Sequence, residues 1–175
     1  LGVRAVQSIA PDIVRGQIEA VMDDLQPVAI KIGMINDIQI VRVISDCLQK
    51  YSPAYVVYDP VMVSTSGKKL MTDEELLPLV TLITPNIDEA KVLTGKSIHN
   101  IQDMQAAAKM LTDDYQTNIL LKGGHLEGDN MCDLLHTSEF IYHIYEEKKI
   151  ESHNLHGTGC PDTVAQMCTF CAVVS

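Results

Sequence analysis

The chain has few positive charges: 13 lysine and arginine residues stand against 23 aspartate and glutamate residues, and the formal net charge is −10 over 175 residues. Proteins that bind nucleic acids or anionic membranes through charge do so with clusters of basic residues. The charge balance therefore argues against partners of both kinds. A protein of this charge that handles phosphate groups must gather a few cations, or a metal ion, at one place.

Signals for export, membrane insertion and zinc binding are also missing. No basic segment is followed by an apolar one as in a signal peptide, and no apolar run is long enough to span a bilayer. The five cysteines are an odd set without a tight framework, and the six histidines lack the spacing of a metal site. These absences predict a cytoplasmic protein without a zinc site.

The order of apolar patterns predicts an α/β fold in one domain over residues 1–175. Segments with helical periodicity alternate with short apolar segments typical of buried strands. The predicted helices cover 12–25, a segment from Asp37, a segment from Thr72, 86–95 and 100–115. The predicted strands cover 28–33, 55–58, 81–84 and 118–122, and an antiparallel hairpin of 131–137 with 139–150 follows. This alternation predicts a mostly parallel sheet with helices on both faces.

Ligands of such sheets bind beyond the carboxyl ends of the strands, so the residues that follow each strand are candidates for a site. Asp59 could hold Mg²⁺ through water or orient a hydroxyl, or it could simply form a turn before proline. Asn86 and Glu89 could face a metal-bound water together, or they could cap a helix. Lys122 could contact phosphate oxygens, with Gly123-Gly124 allowing a ligand to approach closely, or it could be an ordinary solvated lysine.

A small-residue turn near the end of the chain, Gly157-Thr158-Gly159-Cys160, precedes a segment that can form a helix. Such a turn can direct backbone N–H groups at an anion, and a helix N-terminus favours negative charge. Cys160 could act there as a thiolate, or it could be a small buried residue. The turn makes phosphoryl transfer the leading functional hypothesis.

Taken together, several segments resemble the motifs of hydroxymethylpyrimidine/phosphomethylpyrimidine kinases of thiamine biosynthesis, in the ribokinase-like superfamily. These segments are 31–34, 58–62, 84–89, 121–125 and 156–160. The resemblance implies a ribokinase-like three-layer sandwich. It also implies transfer of the ATP γ-phosphoryl group to 4-amino-5-hydroxymethyl-2-methylpyrimidine and then to its monophosphate, with Mg²⁺.

The resemblance further implies a role for each matching residue. The residues implied to bind the substrate are Met34 and Val61. Those implied to bind the nucleotide are Asn86, Lys122 and Thr158, and those implied to bind the metal are Asp59 and Glu89. An anion hole is implied for Gly157, Thr158 and Gly159, and a catalytic base for Cys160. A homodimer that binds ATP and a small pyrimidine is the family expectation.

Two departures from the family pattern leave alternatives open. The usual N-terminal strand and Gly-rich loop would precede Leu1, and Pro161-Asp162-Thr163-Val164 stands where a different helix start is usual. We therefore expect a fold that is incomplete at both ends and a nucleotide site that is unfinished. The alternatives are a pyridoxal kinase of the same superfamily, or an impaired fragment that acts only as a binding module.

Overall fold

The computed structural model describes residues 9–33, 35, 37–60, 76–123, 130–137, 139 and 142–148. Its helices are α1 (Pro11–Leu25), α2 (Ile38–Tyr51), α3 (Ile87–Thr94) and α4 (Ile101–Tyr115), with a short 3₁₀ helix at Leu77–Leu79. Its strands are β1 (Ala29–Ile32), β2 (Tyr55–Tyr58), β3 (Leu82–Ile83), β4 (Asn118–Lys122), β5 (Asn130–His136) and β6 (Tyr142–Lys148). Within these ranges, no helix has the length and apolar character needed to cross a membrane.

Helix starts follow from local capping chemistry. The side chain of Asp37 accepts a hydrogen bond from Gln39 N at 2.8 Å at the start of α2. Asn100 does the same for Asp103 N at 2.9 Å at the start of α4. Helix α1 has no side-chain cap and begins at Pro11, where a missing N–H costs no intrahelical bond. The predicted starts of these helices are confirmed to within one residue.

The six strands form one sheet in the order of the chain. Strands β1 to β4 are parallel, whereas β5 pairs antiparallel with both β4 and β6. The mostly parallel sheet and the terminal hairpin are thus confirmed. Strand β3 is shorter than predicted, but Thr81 N donates to Val56 O and Thr84 N donates to Tyr58 O, both at 2.9 Å. Main-chain hydrogen bonds to β2 therefore extend over the whole predicted strand, residues 81–84.

The main core lies on one face of the sheet. Apolar residues of α2, α3 and α4 pack there against alternate strand residues such as Val56, Ile83 and Leu121. The intervening residues Val57, Leu82, Leu120 and Leu135 form a smaller buried cluster on the opposite face. The predicted helix from Thr72 falls largely, and the chain after residue 148 wholly, outside the described residues. A helical layer on the second face therefore stays a prediction.

A buried polar contact links α4 to the antiparallel part of the sheet. His136 on β5 is fully buried, and its Nδ1 lies 2.9 Å from Thr112 Oγ1 on α4. Burial lowers the pKa of His136, and the charge of Lys109 acts in the same direction. The surroundings of this imidazole therefore favour its neutral form.

Candidate functional site

The carboxyl ends of the parallel strands meet at one edge of the sheet, as the sequence predicts. Asp59 N donates to Ile32 O at 2.8 Å, which fixes the end of β2 against β1. Lys122 N donates to Pro85 O at 2.8 Å, which fixes the end of β4 against the segment after β3. The candidate residues that follow β2, β3 and β4 are therefore held together by main-chain bonds.

A carboxylate shared by two lysines lies at this edge. Asp59 Oδ1 is 3.0 Å from Lys122 Nζ, and Asp59 Oδ2 is 3.2 Å from Lys31 Nζ. The Asp59 side chain is 11% exposed, whereas those of Lys31 and Lys122 are 33% and 23% exposed. We call these three residues the Asp59 bridge. Its two ammonium groups outnumber its one carboxylate, so the bridge carries a net positive charge in an acidic protein.

The register of the strands explains why these side chains meet. Lys31 pairs with Val57, two residues before Asp59, so Lys31, Val57 and Asp59 share one face of the sheet. Leu120 packs with Val57 on that same face, and Lys122 is two residues beyond Leu120. The Asp59 bridge therefore continues the smaller apolar cluster to the carboxyl ends of the strands.

The bridge settles how Asp59 and Lys122 are engaged. Asp59 precedes a proline, but its carboxylate is buried and ion-paired on both oxygens rather than free in a turn. Lys122 is ion-paired rather than an isolated solvated lysine. Lys31 has no role in the sequence predictions, although it belongs to one of the motif segments. A single charge within the apolar strand 28–33 was the signal that could have indicated it.

Asn86 and Glu89 form a reciprocal capping box at the start of α3. Glu89 N donates to Asn86 Oδ1 at 2.8 Å, and Asn86 N donates to Glu89 Oε2 at 2.7 Å. The capping alternative is thus confirmed. Asn86 also forms a parallel bridge with Lys122, so the buried Glu89 carboxylate lies near the same sheet edge. A metal role for Glu89 stays a prediction beside its capping role.

Gly123 serves packing at this edge. A Cβ atom there would overlap Cys132 O and would lie 2.9 Å from Met104 Cε. In addition, Gly123 N donates to Asp133 Oδ1 at 2.9 Å. The close neighbour of Gly123 is therefore strand β5. Gly124 lies outside the described residues, so the approach of a ligand at Gly123-Gly124 stays a prediction.

Thr84 is a further polar residue of this edge that the sequence predictions gave no role. It is 1% exposed, and within the described part of the chain its Oγ1 has no hydrogen-bond partner. Its backbone N–H binds Tyr58 O, directly before Asp59. A buried hydroxyl next to the Asp59 bridge can therefore still donate or accept one hydrogen bond.

The remaining predicted site residues lie outside the described residues. They are Met34, Val61, Gly157, Thr158, Gly159 and Cys160. Their predicted roles in substrate binding, the anion hole and base catalysis stay predictions.

The mostly parallel sheet with paired charges at its carboxyl ends makes this an α/β protein, and the solved structures that resemble it place it in the ribokinase-like class. The chain belongs to the phosphomethylpyrimidine kinase family, which matches residues 1–170. It is 38% identical over 167 residues to a hydroxymethylpyrimidine/phosphomethylpyrimidine kinase of Rhizobium meliloti, covering 91% of this chain and 62% of that protein.

The chain is also similar to solved structures of kinases. The phosphomethylpyrimidine kinase of Clostridium difficile is 40% identical with a TM-score of 0.68, covering 82% of this chain and 64% of that one. The pyridoxal kinase of Staphylococcus aureus in complex with AMP-PCP and pyridoxal is 28% identical with a TM-score of 0.77, covering 91% and 61%. The chain thus spans between 61% and 64% of the length of these relatives.

Proposed function

We propose that the chain carries the phosphoryl-transfer site of a kinase. This kinase moves the γ-phosphoryl group of ATP to 4-amino-5-hydroxymethyl-2-methylpyrimidine and then to its monophosphate. The observation that supports this most is the Asp59 bridge, because it gathers two ammonium groups at the carboxyl ends of parallel strands in an acidic protein. Ligands of parallel sheets bind at that position.

Phosphoryl transfer depends mainly on positioning and on neutralising phosphate charge, and lysine is a common point charge for this purpose. In this proposal Lys122 contacts the phosphates, and Asn86 and Thr158 contribute to the nucleotide site. Gly157, Thr158 and Gly159 donate main-chain N–H groups to the transferring phosphoryl group. Cys160 accepts the proton of the substrate hydroxyl, and Met34 and Val61 line the pyrimidine pocket.

Mg²⁺ is the metal we propose for this site. Among the described residues, no group of three or more His, Cys, Asp and Glu side chains could hold a metal. Asp59 already meets an ammonium group on each oxygen, and Glu89 Oε2 accepts from Asn86 N. Mg²⁺ keeps several waters and takes much of its coordination from substrate phosphates. Asp59 and Glu89 would hold such an ion through its waters, and the ion would supply positive charge to the phosphates.

A coupled assay of ADP release tests the proposal and its key lysine. We expect release that depends on the hydroxymethylpyrimidine, and we expect Lys122→Met to lower kcat/KM by about 100-fold because a phosphate contact is lost. The matched control is Lys109→Met, which removes an exposed lysine paired with Asp113 on α4. Equal activity of the Lys122→Met and Lys109→Met variants would contradict the role of Lys122.

Pyridoxal kinase is the second candidate function. The Staphylococcus aureus pyridoxal kinase has a TM-score of 0.77 to this chain, against 0.68 for the Clostridium difficile phosphomethylpyrimidine kinase. The Clostridium difficile enzyme has the higher sequence identity to this chain, 40% against 28%, which favours the pyrimidine as the substrate. Turnover with pyridoxal alone in the same assay would reject the pyrimidine as substrate.

The impaired fragment is a further alternative, since the chain spans 62% of its Rhizobium meliloti relative. Calorimetric titrations with Mg²⁺–ATP and with the pyrimidine separate it from a working kinase. Binding of both ligands without turnover would favour a binding module. A homodimer, a cytoplasmic location and a single domain are also part of the proposal.

A further inference from the structure

We propose that Lys31 is a positioning residue, which holds the carboxylate of Asp59 in place when Lys122 moves from Asp59 to a phosphate of the ligand. The inference rests on the proposed phosphoryl-transfer function. It concerns how Lys122 leaves Asp59 to bind a phosphate. Lys31 acts through Asp59 and does not contact the substrate.

The geometry gives each oxygen of Asp59 its own lysine. Lys31 Nζ meets Oδ2 at 3.2 Å, and Lys122 Nζ meets Oδ1 at 3.0 Å. Neither lysine therefore has to leave for the other to bind. When Lys122 departs, the contact between Lys31 and Asp59 remains on the other oxygen.

The sheet makes Lys122 the lysine that can leave. Lys31 and Asp59 lie on adjacent strands, and the hydrogen bond from Asp59 N to Ile32 O, directly after Lys31, fixes that pair. Lys122 lies at the end of β4, with β3 between it and β2. Neighbouring strands are about 4.8 Å apart, so Lys122 reaches Asp59 with an extended side chain across roughly two strand spacings. The ammonium group at the end of such a long side chain can turn to a ligand by rotation about the side-chain bonds.

Burial of Asp59 makes the second lysine necessary. Asp59 is 8% exposed, and a buried carboxylate that loses its sole partner is strongly unfavourable. With Lys122 as the sole partner, each move of Lys122 to a phosphate would leave an unpaired charge in this edge. Lys31 removes that cost, so Lys122 is available to an anion.

The first test measures binding of ADP by isothermal titration calorimetry in EDTA, so that no metal role of Asp59 enters. We expect Lys31→Met to raise the Kd about fivefold. Lys31→Arg keeps the charge and should bind within about twofold of the parent chain. Lys109→Met is the matched control for loss of an ion-paired lysine.

The double variant Lys31→Met/Asp59→Asn separates positioning from direct contact. Without the carboxylate nothing retains Lys122, so we expect the double variant to bind ADP more tightly than Lys31→Met alone. If the double variant binds no better than Lys31→Met, Lys31 contacts the phosphate itself and the inference is overturned. A loss of thermal stability in Lys31→Met with an unchanged Kd would overturn it as well.

The second test needs no ligand. The rate at which acetic anhydride acetylates Lys122, followed by peptide mass spectrometry, reports how firmly Asp59 holds this amine. We expect Lys31→Met to slow it about threefold relative to Lys109→Met, and Asp59→Asn to speed it. Equal rates in Lys31→Met and Lys109→Met would overturn the inference even if ADP binds. If the parent chain binds no ADP, the proposed function fails for this chain, and the acetylation rates still decide the role of Lys31.

Discussion

At the scale of single residues, burial requires titratable groups to find suitable partners. The buried carboxyl group of Asp59 has a lysine on each oxygen. His136 is buried to a greater degree, and burial lowers its pKa, with one ring nitrogen at Thr112 Oγ1. The two residues illustrate the two ways in which a core accommodates a titratable group.

The neutral state of His136 predicts a pH-dependent stability. Because burial lowers its pKa in the folded state below the value of about 6.5 in the unfolded chain, the unfolded chain binds the proton more readily. The free energy of unfolding should therefore fall as the pH drops below about 6.5 towards the lowered pKa. Urea unfolding at pH 7.5 and pH 5.5, followed by circular dichroism, measures this fall.

His136→Gln provides the comparison, because an amide does not titrate. We expect its stability to change less between the two pH values than that of the parent chain. His99→Gln, which alters an exposed histidine, should keep the full pH-dependence. A variant of His136 with the same fall as the parent would contradict the assignment.

At the scale of elements, helix ends and strand packing give the strongest constraints. Helix α3 has eight residues and depends on the capping box of Asn86 and Glu89 for its start. Helices this short are marginal alone, so capping and burial must stabilise them. The same carboxylate is the predicted metal residue, and substitutions can separate the two roles.

Glu89→Ala and Glu89→Gln test capping and metal binding separately. Glu89→Ala should lower the free energy of unfolding by about 1 kcal/mol, because the bond from Asn86 N is lost. Glu89→Gln keeps an acceptor oxygen, so its stability should stay closer to that of the parent chain. If Glu89 also serves Mg²⁺, Glu89→Gln should raise the Mg²⁺ concentration needed for half-maximal ADP release. An unchanged Mg²⁺ dependence would leave Glu89 with the capping role alone.

Gly123 follows β4 and lies in close contact with β5. We therefore expect the addition of one methyl group at this position to lower the stability of the chain strongly. Gly123→Ala should lower the free energy of unfolding by about 2 kcal/mol or more, because its Cβ would overlap Cys132 O. Gly16→Ala is the control, since no atom lies within 4 Å of a Cβ built there in the exposed face of α1. It should stabilise the chain by up to about 1 kcal/mol. Urea unfolding of the two variants measures the contrast, and a mild effect of Gly123→Ala would show that β5 can shift.

These elements also show what the sequence could reveal. Strands β2 and β4 were predictable because short apolar runs end at Asp-Pro and Gly-Gly, and α3 because its capping residues are neighbours in sequence. The ion pair of Lys31 with Asp59 could not be predicted, because it depends on the register of β1 against β2. The close packing of Gly123 could not be predicted either, because its neighbour Cys132 lies on β5, nine residues further along the chain. Local chemistry can be read from sequence, whereas contacts between strands require the assembled sheet.

At the scale of the whole molecule, charge is distributed unevenly. The chain carries a formal net charge of −10, yet the Asp59 bridge gathers two lysines at one edge of the sheet. This is the local concentration of cations that a phosphate-handling acidic protein requires. Membership of the phosphomethylpyrimidine kinase family agrees with it.

The Asp59 bridge also has a consequence for folding. Its members come from the first, second and fourth strands of the sheet, and the contact of Lys122 with Asp59 joins residues 63 positions apart in the chain. Contacts of such separation carry a cost in loop-closure entropy, and this one needs β2, β3 and β4 side by side in the sheet. A partly assembled sheet thus lacks the contact of Lys122 with Asp59, and an anion that binds Lys122 at this edge stabilises only the fully assembled sheet. Phosphate ligands of this protein would in this way favour completion of the sheet that binds them.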